Sequence, residues 1–240
     1  MADVLVLDPN EPLALTVTEA LHSGDVPALR KLLAEHPDLV SARVGGSRTL
    51  LHVLTDWPGH FPNGAAAVAA LVEAGADVDA RFAGSHQETP LHWAASCDDV
   101  AVLDALLDAG APIDAPGAVI GGGTPLDDAT AFGQWRAAYR LVERGARTTL
   151  WHAAALGLLD RLRVYFAGAE KPAPAELNNA FWGACHGGRP EAVRFLAGHG
   201  ADLNWIPTWE NLTPLDAAVR SDAADVVTWL RERGAKTATR

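Results

Sequence analysis

The 240-residue chain carries nine histidines and 30 carboxylates. An imidazole beside a carboxylate is the pairing best suited to moving protons near neutral pH. Two groupings have the residue types for it. One is Asp56, His60, His86 and Glu88; the other is His186 with Glu210, flanked by Trp205 and Trp209. Aromatic cover over either would exclude water from a proton transfer, although carboxylates of this kind are more often solvated loop residues than catalysts. Other chemistry lacks its spacing. Cys185 and His186 are adjacent, so on a helix they point apart, and no metal-ligand pattern appears. There is no G-x-S-x-G, no H-E-x-x-H and no dinucleotide fingerprint. The glycine-rich "APGAVIGGGT" lacks the Lys-Ser/Thr that a phosphate loop requires. The expectation is no metal and no cofactor.

The elements that must position these residues repeat. "Gly-Ala" recurs at Gly75, Gly110, Gly145, Gly200 and Gly234, each after an apolar helix-like run. Upstream come TLLH (49–52), TPLH (89–92), TPLD (124–127), TLWH (149–152) and TPLD (213–216). Residues 89–116 show the logic of one unit. Thr89 can cap a helix whose first turn accepts Pro90. Leu91, Ala94 and Ala95 form a narrow apolar face, and Val100, Leu103, Leu106 and Leu107 recur at helical spacing. Gly110 then ends the second helix by taking positive φ. One such unit has too little apolar surface to fold alone, so units must stack.

T-P-L-H-x-A-A followed by L-L-x-x-G-A resembles the ankyrin-repeat family, and the resemblance extends over nearly the whole chain. It implies an all-α solenoid of stacked helix pairs with projecting hairpin fingers, in which the first helices and the fingers line a concave groove. It also implies that His52, His92 and His152 hydrogen-bond within the scaffold. As a single domain, 1–240, the chain divides into about seven repeats: 12–44, 45–81, 82–116, 117–148, 149–177, 178–206 and 207–240. Cys97 then lies three repeats from Cys185, too far for a shared zinc.

Departures from the repeat are where function should show. Eight residues separate Ala80 from Thr89, and eight separate Ala115 from Thr124, so both fingers should be long. "WPGHFPNG" (57–64) interrupts the second unit, where Pro58 and Pro62 forbid helix; it reads as a lid or a tolerated insertion. Only Ala146, Arg147 and Thr148 precede Thr149, so one finger is missing, and "AGAEKPAPAEL" reads as a Pro-rich connection. Of eight tryptophans, Trp93, Trp135, Trp151, Trp182 and Trp229 fall within helices and read as core. Trp57, Phe132, Trp205 and Trp209 are the expected ligand contacts, because aromatic rings give large contact area at small entropic cost. Trp205 and Trp209 have an equally good reading as packing for the last repeats. His186 and the finger bearing Glu210 belong to neighbouring units, which makes an acid–base pair geometrically possible.

Composition bounds the partners. The formal charge of −11 disfavours a phosphate-binding surface, so nucleic acid is not expected. No apolar run is long enough to span a membrane, and the acidic start lacks the features of a secretory signal. Two cysteines suit a reducing cytoplasm, and 16 arginines against three lysines suit a high-GC bacterial host. Two functions fit. The first is a binding module for a protein or peptide. The alternative is a cofactor-independent enzyme of bacterial secondary metabolism, performing dehydration, conjugate addition or cyclisation on a small apolar substrate.

Overall fold

A computed structural model describes residues 4–238. The chain forms two compact units, 1–146 and 147–240. The first contains β1 (Val6–Leu7), α1 (Pro12–Ser23), α2 (Val26–Glu35), β2 (Arg43–Val44), α3 (Leu50–Thr55), α4 (Gly64–Glu73), α5 (Pro90–Ser96), α6 (Val100–Asp108), α7 (Pro125–Ala131) and α8 (Trp135–Glu143). The second contains α9 (Leu150–Ala155), α10 (Leu159–Ala167), α11 (Pro174–His186), α12 (Pro190–Gly198), α13 (Pro214–Arg220) and α14 (Ala224–Glu232). β1 and β2 are parallel, with Val6 opposite Arg43 and Leu7 opposite Val44; apart from them the described elements are helical.

Each unit is a short stack of helix pairs. In the first, α1, α3, α5 and α7 pack in series, and α2, α4, α6 and α8 form the second layer. In the second, α9, α11 and α13 stack, with α10, α12 and α14 behind them. The Thr-initiated motifs start the first helices as their chemistry dictates. The hydroxyls of Thr49, Thr124, Thr149 and Thr213 accept from the backbone N–H three residues on. In return the N–H of Thr89 and Thr149 is accepted by His92 and His152 Nδ1, and that of Thr124 and Thr213 by Asp127 and Asp216. These reciprocal bonds satisfy donors that a helix start leaves open. Leu91, Leu103 and Leu106 are fully buried. Alanines at Ala94, Ala95, Ala129, Ala153 and Ala154, also fully buried, let successive first helices approach closely.

His52 and His92 behave as the repeat pattern implies. Their Nε2 atoms lie 3.2 Å from the Glu88 carbonyl and 3.4 Å from the Gly123 carbonyl. Because His92 Nδ1 accepts from Thr89, Nε2 carries the proton and the ring is neutral. Burial holds both imidazoles down to about 4.

Two expectations gain detail. Residues 56–63, between α3 and α4, are a packed strap. The His60 N–H donates to Asp99 Oδ2 and its Nε2 lies 2.8 Å from the Cys97 carbonyl, while the Asn63 amide donates to the Gly24 carbonyl and Phe61 stacks on His22 at 4.0 Å. The strap therefore ties the first helix pair to the third. The Pro-rich connection is shorter than the sequence implies. Helix α11 already begins at Pro174, because proline suits a first helical turn and the Glu176 side chain accepts the Ala173 N–H at 3.0 Å. "PAEL" belongs to the helix, and the connection is 168–173.

Candidate functional site

The four residues Asp56, His60, His86 and Glu88 divide into separate environments. Asp56 sits against Arg48 at 2.7 Å, with half-exposed side chains on both sides. His60 belongs to the strap. The Cys97 thiol there is pushed up to about 11 by burial and by Asp56 and Asp99, and burial also raises the Cys185 thiol. Neither is poised as a nucleophile.

His86 and Glu88 come together in a denser cluster. The finger 81–88 brings Phe82, His86 and Glu88 to one place, its Phe82 N–H donating to the Glu88 carbonyl at 2.8 Å. The neighbouring finger, 116–123, lies alongside: the Gln87 N–H donates to the Gly117 carbonyl. Gly117 has φ 130°, and a Cβ there would come within 2.2 Å of the Gln87 carbonyl oxygen, so only glycine permits this approach. Glu88 is buried, and its carboxylate accepts two hydrogen bonds of 2.7 Å, from Trp93 Nε1 and from the Val119 backbone N–H. His86 Nδ1 is 3.2 Å from Glu88 Oε2, within ion-pair distance but without hydrogen-bond alignment. Its ring stacks on Phe82 at 4.6 Å, and Phe82 meets Trp93 at 5.4 Å.

Below Glu88 lies Asp128, on α7, with no solvent exposure. Neither of its oxygens meets a donor from the surrounding protein. Burial, then the charge and hydrogen bond of Glu88, then the charge of Asp127, push its carboxyl up to about 8. A carboxyl buried beside a second carboxylate favours its neutral form, because two like charges at close range in a dry site repel.

The second unit holds a different cluster. Trp182, almost fully buried on α11, donates its Nε1–H to the Leu212 carbonyl at 2.9 Å. It stacks with Trp151 at 6.0 Å and His186 at 5.5 Å, and meets Trp209 edge-on at 4.9 Å. Gly183 makes the Trp151 contact possible, since a Cβ there would stand 2.5 Å from the indole. His186 is buried, with Nδ1 3.3 Å from Ser221 Oγ. Glu210 is ion-paired with Arg220, whose guanidinium also lies 5.5 Å from the Trp182 ring centroid. The charge of Glu210 is thus answered by a cation.

Of the expected aromatic contacts, Trp57 is 83% exposed, Phe132 50% and Trp209 58%, while Trp205 is half-buried. Trp93 and Trp182 read in sequence only as core, and Phe82, Asp128 and Arg220 carry no functional reading there. Trp93 and Asp128 had a signal: both follow the fourth residue of the motif, in TPLHW and TPLDD, so they occupy one register on consecutive first helices. Gly183, a glycine inside a helix, was the mark of a close approach. Among the described residues no group of three His, Cys, Asp or Glu side chains could hold a metal ion, and no helix is long and apolar enough to cross a membrane.

Comparisons with known proteins agree with the stacked helix pairs. Residues 150–240 match the family description "Ankyrin repeats (3 copies)", and residues 86–118 match "Ankyrin repeat". Among solved structures, the chain is similar to the human ASB11 ankyrin repeat domain, at 20% identity and a TM-score of 0.55, over 92% of this chain and 98% of that one. It is also similar to a chain in the complex of the Bd0816 predatory endopeptidase of Bdellovibrio bacteriovorus with immunity protein Bd3460, at 20% identity and a TM-score of 0.53, over 91% of this chain and 97% of that one. At such identity these likenesses speak for the fold. No curated protein matches the chain.

Proposed function

The chain belongs to the ankyrin-repeat family, and from that membership we propose that it is a binding protein whose fingers and first helices recognise a protein or peptide partner. The observation that carries this reading is the set of large apolar side chains left in solvent on the fingers. Val119 and Ile120 are exposed at the tip of the finger 116–123, and Ile206 and Trp209 are exposed on the finger 201–212. The first tip is also held: the Val119 N–H is bonded to Glu88, and Gly117 N–H closes the turn on the Gly122 and Gly123 carbonyls. Fixing an apolar surface before binding lowers the entropic cost of using it.

An acid–base enzyme draws support from one feature, the buried Asp128 carboxyl, which its surroundings push up to about 8, as a general acid requires. Glu210, however, is ion-paired with Arg220, which favours the binding reading.

The test is affinity for captured partners with finger variants. Val119→Asp and Trp209→Ala should each weaken binding, the latter by about 1–4 kcal/mol if the indole is a central anchor. Unchanged affinity in both variants refutes the reading. Product formation from a metabolite extract, lost in Asp128→Asn, would establish the enzyme instead.

A further inference from the structure

The acid pair in the first unit has more negative character than its surroundings satisfy. Neither Asp128 oxygen meets a hydrogen-bond donor, although the carboxyl lies close enough to Glu88 to feel its charge. The causes that act on Asp128 include Glu88 and Asp127 but no arginine or lysine. Arg81, on the same finger as Glu88, is turned to the carbonyls of Gln87 and Pro116 and to Asp79. The faces around the pair are those that suit a cation: Phe82, His86 and Trp93 are in mutual ring contact beside Glu88. A cation among aromatic faces and buried carboxylates gains from both. The cover is thin at one place. The His86 side chain is 20% exposed over a Glu88 side chain that is 7% exposed, and the exposed Val119 is tied to that same carboxylate.

We propose that the Glu88–Asp128 pair, under Phe82, His86 and Trp93, receives a lysine or arginine side chain from the protein partner that docks on the Val119–Ile120 finger tip. This rests on the binding reading above and adds the chemistry of the residue recognised. An incoming cation takes the place of the proton that burial beside Glu88 favours on Asp128, and that proton leaves to solvent, so charge is conserved at the pair. The overall acidity of the chain, −11, favours the approach of a basic segment. Other charged or titratable groups near the pair are Arg81 and His86 on the finger, His52 on α3, His92 on α5 and Asp127 on α7.

The test uses four probes on the whole chain: N-acetyl-arginine amide, acetyl-Leu-Arg-Leu amide, and the same two molecules with citrulline, which is uncharged and nearly the same shape. Binding is read from the Trp93 indole N–H resonance. The arginine probes should shift it and the citrulline probes should not. Affinity should rise by up to tenfold per pH unit between pH 6 and 8, because the cation displaces a proton. Asp128→Asn, which keeps a donor toward Glu88 and so preserves the fold, should weaken binding at least tenfold, as should Glu88→Gln. Equal response to citrulline, a flat pH profile or full affinity in Asp128→Asn overturns the site. The tripeptide should bind about tenfold more tightly than the single residue, with Val119→Asp abolishing that gain alone. Equal affinity of the two would mark a site for free small cations and overturn the protein source. Failure of the finger-tip reading appears as an unaltered tripeptide gain in Val119→Asp, and failure of the cation site as unaltered binding in Asp128→Asn.

Discussion

The two units each place a histidine, a carboxylate and several aromatic rings together, yet treat the carboxylate in opposite ways. In the second unit Glu210 is only partly covered and faces Arg220, so its charge is answered on the spot. In the first, Glu88 is buried beside Asp128, and in place of an arginine there are an indole N–H and a backbone N–H. The difference teaches that residue types do not define a site. A carboxylate paired with a surface cation contributes little to stability and reacts weakly to its environment. A pair of acids without a cation links stability to pH and has capacity for a cation from outside.

The sharpest way to break this comparison is to remove each carboxylate. Glu88→Ala leaves the Trp93 and Val119 donors unsatisfied and creates a void, so it should cost about 2–4 kcal/mol in urea unfolding. If Glu88→Ala and Glu210→Ala prove equally mild, the contrast between the two clusters is lost.

Titration sharpens it next. The Asp128 carboxyl, raised to about 8, binds its proton in the folded chain from about pH 4 to 8, where the unfolded chain has released it. Its contribution therefore falls as pH rises across that window, by up to about 1.4 kcal/mol per unit. His52 and His92, lowered to about 4, act in the reverse sense. They favour the folded chain above about pH 6.5 and destabilise it as pH falls below that value. Between pH 6.5 and 8 the Asp128 effect should stand apart from theirs, as a loss of about 1–2 kcal/mol that Asp128→Asn abolishes. A stability profile in that range that is the same for both proteins would refute the raised Asp128 carboxyl.

The smallest effect belongs to the second unit. Glu210→Gln removes a partly exposed ion pair with Arg220 and should change stability by less than about 1 kcal/mol, shrinking further in 1 M salt. A larger, salt-insensitive loss would show that Glu210 is as deeply committed as Glu88.

Much of the fold was legible because the repeat states its rules locally. Thr-Pro starts a helix, alanines mark where helices approach, and Gly-Ala ends the pair; each rule works over a few residues. The start of α11 at Pro174 was less legible, since proline and alanine in "APAEL" serve equally well in a linker or in a capped helical turn, and the Glu176 bond to Ala173 decides between them. The candidate site was half legible. His86 and Glu88 stood out as types, and Trp209 as an odd residue on a finger. Trp93 and Trp182 look like core tryptophans in sequence, because helical phase gives the direction of a ring and not what lies across from it. Arg220 gave no sign of its pairing with Glu210.

The sequence by itself determined the helix pairs, their caps and the order of the motifs, because hydrophobic period, capping and glycine conformation act between residues close in the chain. It also set the acidic charge, −11. Only the tertiary structure decided that Asp128 lies near Glu88, 40 positions away in the chain, and that the Val119 N–H bonds the Glu88 carboxylate. Dielectric and charge distance fix a carboxyl's protonation, and those quantities exist only once separate repeats have been packed together.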